Sequence, residues 1–281
     1  MATRKQPLSV LSLFDGLSCG RLALDRAGVR YDAYLASEID PRAIAVTQAN
    51  FPDTIQLGDV SNLTTESLPP IGLLMGGSPC QGFSNVGQGL GFDDPRSHLF
   101  YEYLRLLHEC QPRYFLLENV PMKRAWEDII TEHMGVEPIE INSNLVSAQN
   151  RRRLYWTNIP DVEQPMDRGI ILEDIIEEPT EYRIPGSWER YVPADHPRFV
   201  DPYNRCEIIG KSTSLRTNTN NGNMWVRTVN GDYRNLTVSE CEKLQTVPNG
   251  YTAAVSPTQA KKMLGNGWTV DVIAHLLAGI R

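Results

Sequence analysis

The chain predicts an α/β fold, an open and mostly parallel sheet accompanied by a smaller, irregular lobe. Three observations predict it. Short apolar runs alternate with helical patterns through the first 160 residues, the signature of repeated βα units with right-handed crossovers. A turn holding two glycines, Gly16 and Gly20, follows the first apolar run. Then, from about 160 to 233, the rhythm breaks: prolines at 160, 165, 179, 185, 193, 197 and 202 and the run Thr217-Asn218-Thr219-Asn220-Asn221-Gly222-Asn223 interrupt regular structure.

In chain order, strands are expected over 8–14, 33–38, 55–57, 72–76, 114–118 and 153–157, and helices over 20–28, 41–50, 98–110 and 124–134. Helical pattern returns at Thr237–Gln245. It is opened by Thr237-Val238-Ser239-Glu240, a capping box with Thr as N-cap and Glu three residues on. The apolar run Val270–Leu277 reads as a packed helix. The expected organisation is a first domain over 1–157, the lobe over 158–233, and C-terminal helices over 234–281 that complete the first domain.

Composition narrows the classes. The chain has 281 residues, and its five cysteines (19, 80, 110, 206 and 241) form an odd set with no CxxC pair. That argues for a reducing compartment and against structural zinc. The N-terminus leads directly into strand-like sequence without a long apolar run, so neither a signal peptide nor a membrane span is expected. The net charge of −7 argues against a polyanionic partner, but it averages two unlike segments. Residues 160–181 carry eight acids and one Arg; residues 183–234 carry eight Lys/Arg against five Asp/Glu, a balance of +3. Such a basic stretch can hold a polyanion on an acidic protein, because screening limits each charge to roughly 8–10 Å.

Chemistry-bearing residues fall where strands end. Cys80 lies in Gly77-Ser78-Pro79-Cys80-Gln81-Gly82-Phe83-Ser84, behind the buried strand Ile71–Gly77. It reads either as an inert buried thiol or as a reactive one at the edge where open α/β sheets place their chemistry. Phe14-Asp15-Gly16-Leu17-Ser18-Cys19-Gly20 is neither a G-x-G-x-x-G nor a Walker motif, yet its glycines allow close approach to a ligand. Glu38 follows Gly16 by 22 residues, the distance at which an acid commonly binds ribose hydroxyls, and Asp59 follows the third strand. Together these acids suggest an adenosine-containing cofactor. Glu118 closes an apolar strand; it reads either as a strand-end acid in solvent, the commoner case, or as a partly desolvated carboxyl suited to donate a proton or hydrogen bond. In Gln149-Asn150-Arg151-Arg152-Arg153, Arg151 and Arg153 share one face if the segment is extended.

These motifs, with Arg234-x-Leu236-Thr237-x-x-Glu240 and Gly265-Asn266-Gly267, occur in an order that resembles the DNA (cytosine-5)-methyltransferases, from residue 10 to 277. Phe14–Gly20 and Leu264–Val270 are similar to the vertebrate de novo enzymes, whereas Pro-Cys-Gln-Gly-Phe-Ser is the bacterial form. The length suggests a free-standing catalytic unit.

The resemblance implies a Rossmann-like, S-adenosyl-L-methionine-dependent methyltransferase sheet with a target-recognition lobe, and S-adenosyl-L-homocysteine as product. It implies Cys80 as nucleophile toward cytosine C6, Glu118 at N3 and the exocyclic amine, Arg153 at O2, and Arg151 orienting the site through Cys80 or the backbone. It implies cofactor contacts from Phe14, Asp15, Gly16, Glu38, Ile39, Asp59, Val60, Pro79, Asn266 and Trp268. For double-stranded DNA it points to Gln81, Ser84, Arg96, Arg216, Thr217 and Asn218, with Arg and Asn suited to base edges. The glycine-rich stretch Gly82–Gly91 suits a loop that closes over DNA. The expected protein needs no metal, acts as a monomer, and is cytoplasmic in a prokaryote or nuclear in a eukaryote. Two rivals stay open: a tRNA cytosine-5 methyltransferase, whose usual Pro-Pro-Cys-Gln-Pro-Phe-Thr differs from the sequence here, and a non-catalytic DNA-binding relative.

Overall fold

The computed structural model describes residues 8–78, 98–177, 190–217 and 223–280. Packing divides the chain into two compact units: residues 1–141, 152–164 and 273–281 form the first, and 142–151 and 165–272 form the second.

The first unit holds β1 (Ser9–Leu13), α1 (Cys19–Arg26), β2 (Ala33–Ser37), α2 (Pro41–Asn50), β3 (Ile55–Gln56), β4 (Ile71–Gly77), α3 (His98–Cys110), β5 (Tyr114–Asn119), α4 (Arg124–Met134), β6 (Ile139–Asn142, its last residue in the second unit) and β7 (Arg152–Thr157). The sheet order is β3-β2-β1-β4-β5-β7-β6. Strands β3 to β5 pair parallel, and β7 lies antiparallel to β5. All six expected strands and all four expected helices of this region form. The added strand, β6, alternates half-exposed and exposed positions with a single buried one, and so lacks the apolar run that marks the others.

The central strands β1, β4 and β5 are mostly apolar and buried almost throughout, as expected of parallel strands covered on both faces; Leu11, Leu13, Leu74, Leu117 and Trp156 pack with Phe100, Tyr103 and Ile130 from the helices. Local signals set the helix ends. Asp40 accepts a hydrogen bond from the Arg42 amide at 2.9 Å and Pro41 opens α2, while α4 stops at Gly135, in the left-handed conformation. Sheet order reverses between β1 and β4, and in such folds ligands bind beyond the strand ends at that reversal.

The second unit holds β8 (Phe199–Asp201), β9 (Cys206–Glu207), β10 (Trp225–Arg227), β11 (Tyr233–Asn235), α5 (Val238–Leu244), α6 (Pro257–Asn266) and the start of α7 (Val270–Leu277). Its sheet runs β11-β10-β8-β9, with antiparallel pairing around Val200, Trp225 and Tyr233. The sequence names none of these strands, since each is only two or three residues long.

The capping box forms as expected. Thr237 Oγ1 accepts from the Glu240 amide at 3.1 Å, and Glu240 Oε2 accepts from the Thr237 amide at 2.7 Å. Glu240 is also the partner of Arg234, at 2.7 and 2.9 Å, with both side chains almost wholly buried. Glu240→Ala therefore removes a cap and strands a buried guanidinium, a loss of about 3–5 kcal/mol for a broken buried pair. Thermal melts should show Glu240→Ala far below wild type. Glu240→Gln, which keeps the amide-facing oxygen, should fall between; equal melting of Glu240→Ala and wild type would contradict the assignment.

Candidate active site

The turn from β1 to α1 is an alternating one: Phe14, Gly16 and Ser18 all sit at left-handed φ, 54°, 58° and 54°. Glycine adopts this freely, but for Phe14 and Ser18 it costs roughly 1–2 kcal/mol each. A set of polar contacts holds the turn. The Gly16 amide donates to Glu38 Oε2 at 2.8 Å, and Glu38 Oε1 accepts from the amides of Ile39 and Asp40, each at 2.8 Å. The Asp15 carboxylate turns inward, accepting from the Tyr34 hydroxyl at 2.6 Å and from the Ser18 hydroxyl. Ser18 and Thr47 share a 3.0 Å hydroxyl contact, and Thr47 reaches the Gly16 carbonyl at 3.4 Å. Burial pushes the Asp15 carboxyl above the usual carboxylate range, with the Ser18 and Tyr34 hydroxyls pulling it back.

Beyond β3, Asp59 caps a short 3₁₀ turn, its Oδ1 accepting from the Ser61 amide at 2.9 Å, and Val60 behind it is buried. Ile39, next to Glu38, is 72% exposed. Two carboxylates past neighbouring strands, a solvent-facing apolar side chain and a glycine turn suit an adenosine: the acids for ribose and amine, Ile39 for the base.

Glu118 and Arg153 meet at the next strand ends. Arg153 Nε is 2.8 Å from Glu118 Oε1, and both side chains are largely buried. The β5–β7 pairing sets Glu118 opposite Tyr155, two residues from Arg153 and on the same face. On the other side Glu118 pairs with Gly77 of β4, from which the chain continues to Cys80 three residues later. The Asn119 side-chain Nδ2 donates to Ser78 Oγ at 3.0 Å, both buried, and so ties the end of β5 to the residue that leads into Pro79.

Arg151 takes different partners from Arg153. Within the second unit its guanidinium donates to Ser214 Oγ at 3.0 Å and to the carbonyls of Leu215, Gly265 and Gly267 at 3.3, 3.1 and 2.8 Å. Arg216 lies over the Tyr203 ring, 4.9 Å from its centroid, and 3.8 Å from Asp201. Thr217 is exposed, Asn266 ends α6, and Trp268 follows it. Pro79, Cys80, Gln81, Ser84, Arg96 and Asn218 lie outside the described residues, as does the glycine-rich stretch 82–91. Burial pushes the Cys241 thiol up to about 12 and raises Cys110 as well, which leaves neither a thiolate at neutral pH. Among the described residues no group of three or more His, Cys, Asp or Glu could hold a metal ion, and no helix is long and apolar enough to cross a membrane.

Sequence reasoning passed over Tyr34, Thr47 and Asn119. Tyr34 and Thr47 looked like ordinary strand and helix residues, and only the meeting of β1, β2 and α2 brings them to the turn. Asn119 directly follows Glu118, but its partner Ser78 lies 41 positions away.

With this geometry in place, the model of the C-5 cytosine-specific DNA methylases matches residues 8–159 and 189–281. The chain belongs to that family. As a DNA (cytosine-5)-methyltransferase it is similar to type II and orphan methyltransferases. It is 29% identical to the type II methyltransferase M1.ScrFI of Lactococcus lactis subsp. cremoris, over 96% of this chain and 76% of the relative. It is 28% identical to M.DsaV of Dactylococcopsis salina, over 96% and 84%. The orphan methyltransferase M.Rho11sI of Bacillus phage rho11s is 39% identical over 53% of this chain and 32% of the phage protein. In fold, the methyltransferase matches the S. pombe Dnmt2 methyltransferase with a TM-score of 0.74 at 20% identity, covering 96% and 97% of the two chains. It matches the Entamoeba histolytica methyltransferase EhMeth with a TM-score of 0.71 at 16% identity, covering 98% of each. The fold is thus the Rossmann-like methyltransferase sheet that the sequence predicts.

Proposed function

We propose that the enzyme methylates C5 of a cytosine flipped out of duplex DNA, through a covalent bond between Cys80 and C6. The observation that carries this reading is the Glu118–Arg153 pair, one strand from the end of β4 that leads to Cys80. Cytosine C5 is a weak nucleophile, and thiolate addition at C6 makes the ring an enamine, splitting a hard step into easier ones. Cys80 forms the S–C6 bond. Glu118 gives a proton to N3 and accepts from the exocyclic amine, so that the electron pair displaced from the C5–C6 double bond stays in the ring as an enamine with a nucleophilic C5. Arg153, oriented by Glu118, holds O2. When bound, S-adenosyl-L-methionine supplies the methyl group and leaves as S-adenosyl-L-homocysteine. Water then takes the C5 proton, the C5–C6 double bond re-forms as the S–C6 bond breaks, Cys80 leaves as the thiolate, and N3 returns its proton to Glu118. Flipping the base costs a few kcal/mol.

Phe14, Gly16, Glu38, Ile39, Asp59 and Val60 hold the cofactor in this reading, with Pro79, Asn266 and Trp268 assigned by the family pattern. Asp15 contributes as the anchor of the turn. Tyr34→Phe should therefore weaken S-adenosyl-L-homocysteine binding by about tenfold, the effect of losing roughly 1.4 kcal/mol from the hydrogen bond that fixes the turn. Isothermal titration gives the value directly, and unchanged affinity would remove Tyr34 from the account.

Residues 158–233 take the place of the target-recognition lobe, flanked by the catalytic domain 1–157 and the completing helices 234–281, and Arg216, Thr217 and Asn218 read the DNA within it. The enzyme works as an intracellular monomer. Bisulfite sequencing of DNA from cells expressing the chain should show new methylcytosine in one sequence context. A side-by-side assay on duplex DNA and tRNA decides the substrate: transfer to tRNA alone overturns the choice of DNA.

A further inference from the structure

The second unit contains a junction that the reaction above does not use. Gln149 and Arg151, alternate residues and both buried, grip one residue from both sides. The Leu215 amide donates to Gln149 Oε1 at 2.7 Å, and the Leu215 carbonyl accepts from Arg151 at 3.3 Å. Main-chain bonds reinforce the grip, from Asn150 to the Ser212 carbonyl and from Ser212 to the Ala148 carbonyl, at 2.8 and 2.7 Å. Directly after Leu215, the Arg216 amide donates to Asn223 Oδ1 at 2.8 Å, which closes the base of the segment carrying Arg216 and Thr217.

The other nitrogen of Arg151 holds a second segment, through the Gly265 and Gly267 carbonyls. Gln245 supports that segment from behind, donating to the carbonyls of Leu264 and Gly267 at 2.6 and 3.2 Å. The two segments also touch. A Cβ on Gly265 would stand 2.7 Å from the main-chain carbon and oxygen of Arg216, so glycine is required there. One guanidinium therefore fastens the base of the proposed DNA-reading segment to the turn bearing Asn266 and Trp268, which the family pattern assigns to the methyl donor.

We propose that Arg151 is a positioning residue that couples DNA reading to cofactor binding, by fixing Ser214–Leu215 to Gly265–Gly267. The proposal rests on the function given above. A planar guanidinium serves both segments at once; an ammonium keeps the charge but not the fork. The coupling is reciprocal: whatever DNA does to cofactor affinity, the cofactor does to DNA affinity.

The test uses the full chain and S-adenosyl-L-homocysteine. Its Kd is measured by isothermal titration with and without a duplex carrying the context found by bisulfite sequencing. In wild type the duplex should tighten binding by about tenfold, within the 5–150-fold range usual for such coupling. Arg151→Lys should bring that ratio close to one. Gly265→Ala, which leaves Arg151 in place but forces the two segments apart, should do the same. A merely structural role would lower melting temperature without moving the ratio, so a wild-type ratio in both variants overturns the proposal. So does a ratio of one in wild type. A direct contact to cytosine is the third overturning outcome, read as slower adduct formation in Arg151→Lys at saturating ligands with the ratio intact. Failure of the wild type to bind S-adenosyl-L-homocysteine at all would instead count against the methyltransferase reading itself.

Discussion

Serine in place of Cys80 is expected to abolish methyl transfer to cytosine while S-adenosyl-L-homocysteine binds with wild-type affinity. The hydroxyl is far less ionised than a thiol and a weaker nucleophile toward C6. Of the other cysteines, Cys241 and Cys110 have thiols raised by burial and Cys19 is buried in α1. Duplex DNA containing 5-fluorocytosine should trap the wild type as a cofactor-dependent adduct that survives denaturing electrophoresis, and should not trap Cys80→Ser. Methylation by the variant at the wild-type rate would show the nucleophile to be wrongly assigned. An untrapped wild type would support a DNA-binding relative without catalysis.

The second large effect is expected at Glu118. Glu118→Gln keeps the shape and one acceptor oxygen but can neither give a proton to N3 nor pair fully with Arg153, which stands 2.8 Å away. A lost general acid typically costs 10²–10⁴-fold. Single-turnover methylation at saturating DNA and cofactor should fall in that range, with cofactor affinity unchanged. A loss in KM alone, with the single-turnover rate preserved, would reduce Glu118 to a binding contact.

Much of this was legible because the signals are local. The capping box at Thr237 and Glu240 is written within four residues, and it forms with both reciprocal bonds. Strand ends are marked by apolar runs, so Glu38 and Asp59 could be placed beyond two of them, and Glu118 at the end of a third, from sequence alone. What stayed hidden depends on distance along the chain. Arg151 reaches Gly265, 114 positions on, and nothing near either residue names the other. Alternation put Arg151 and Arg153 on one face, apart from Arg152, but could not say that the first takes its partners in one unit and the second in another. Tyr34 shows the same limit: its hydroxyl matters only because β2 lies beside β1, which brings it to Asp15, 19 positions earlier. The short strands of the second unit fail for a different reason, since two or three residues carry no period to read.

The antiparallel course of β7 has a consequence for accuracy. Because β7 runs against β5, it is the entering end of the strand that delivers Arg153 to Glu118. Two adjacent arginines compete for that position, and a slip by one residue would exchange their faces. The outer one, Arg152, is engaged twice by Glu140 of β6, at 2.7 Å each, and that guanidinium holds the Glu140 carboxyl below its ordinary range. A solvent-facing pair of this kind adds little to stability. Here it works as a locating pin: with Arg152 claimed on the outside, Arg153 is left as the arginine that can face inward. Substitution of Glu140 should therefore surface as a fraction of misaligned, inactive molecules and not as a lower melting point.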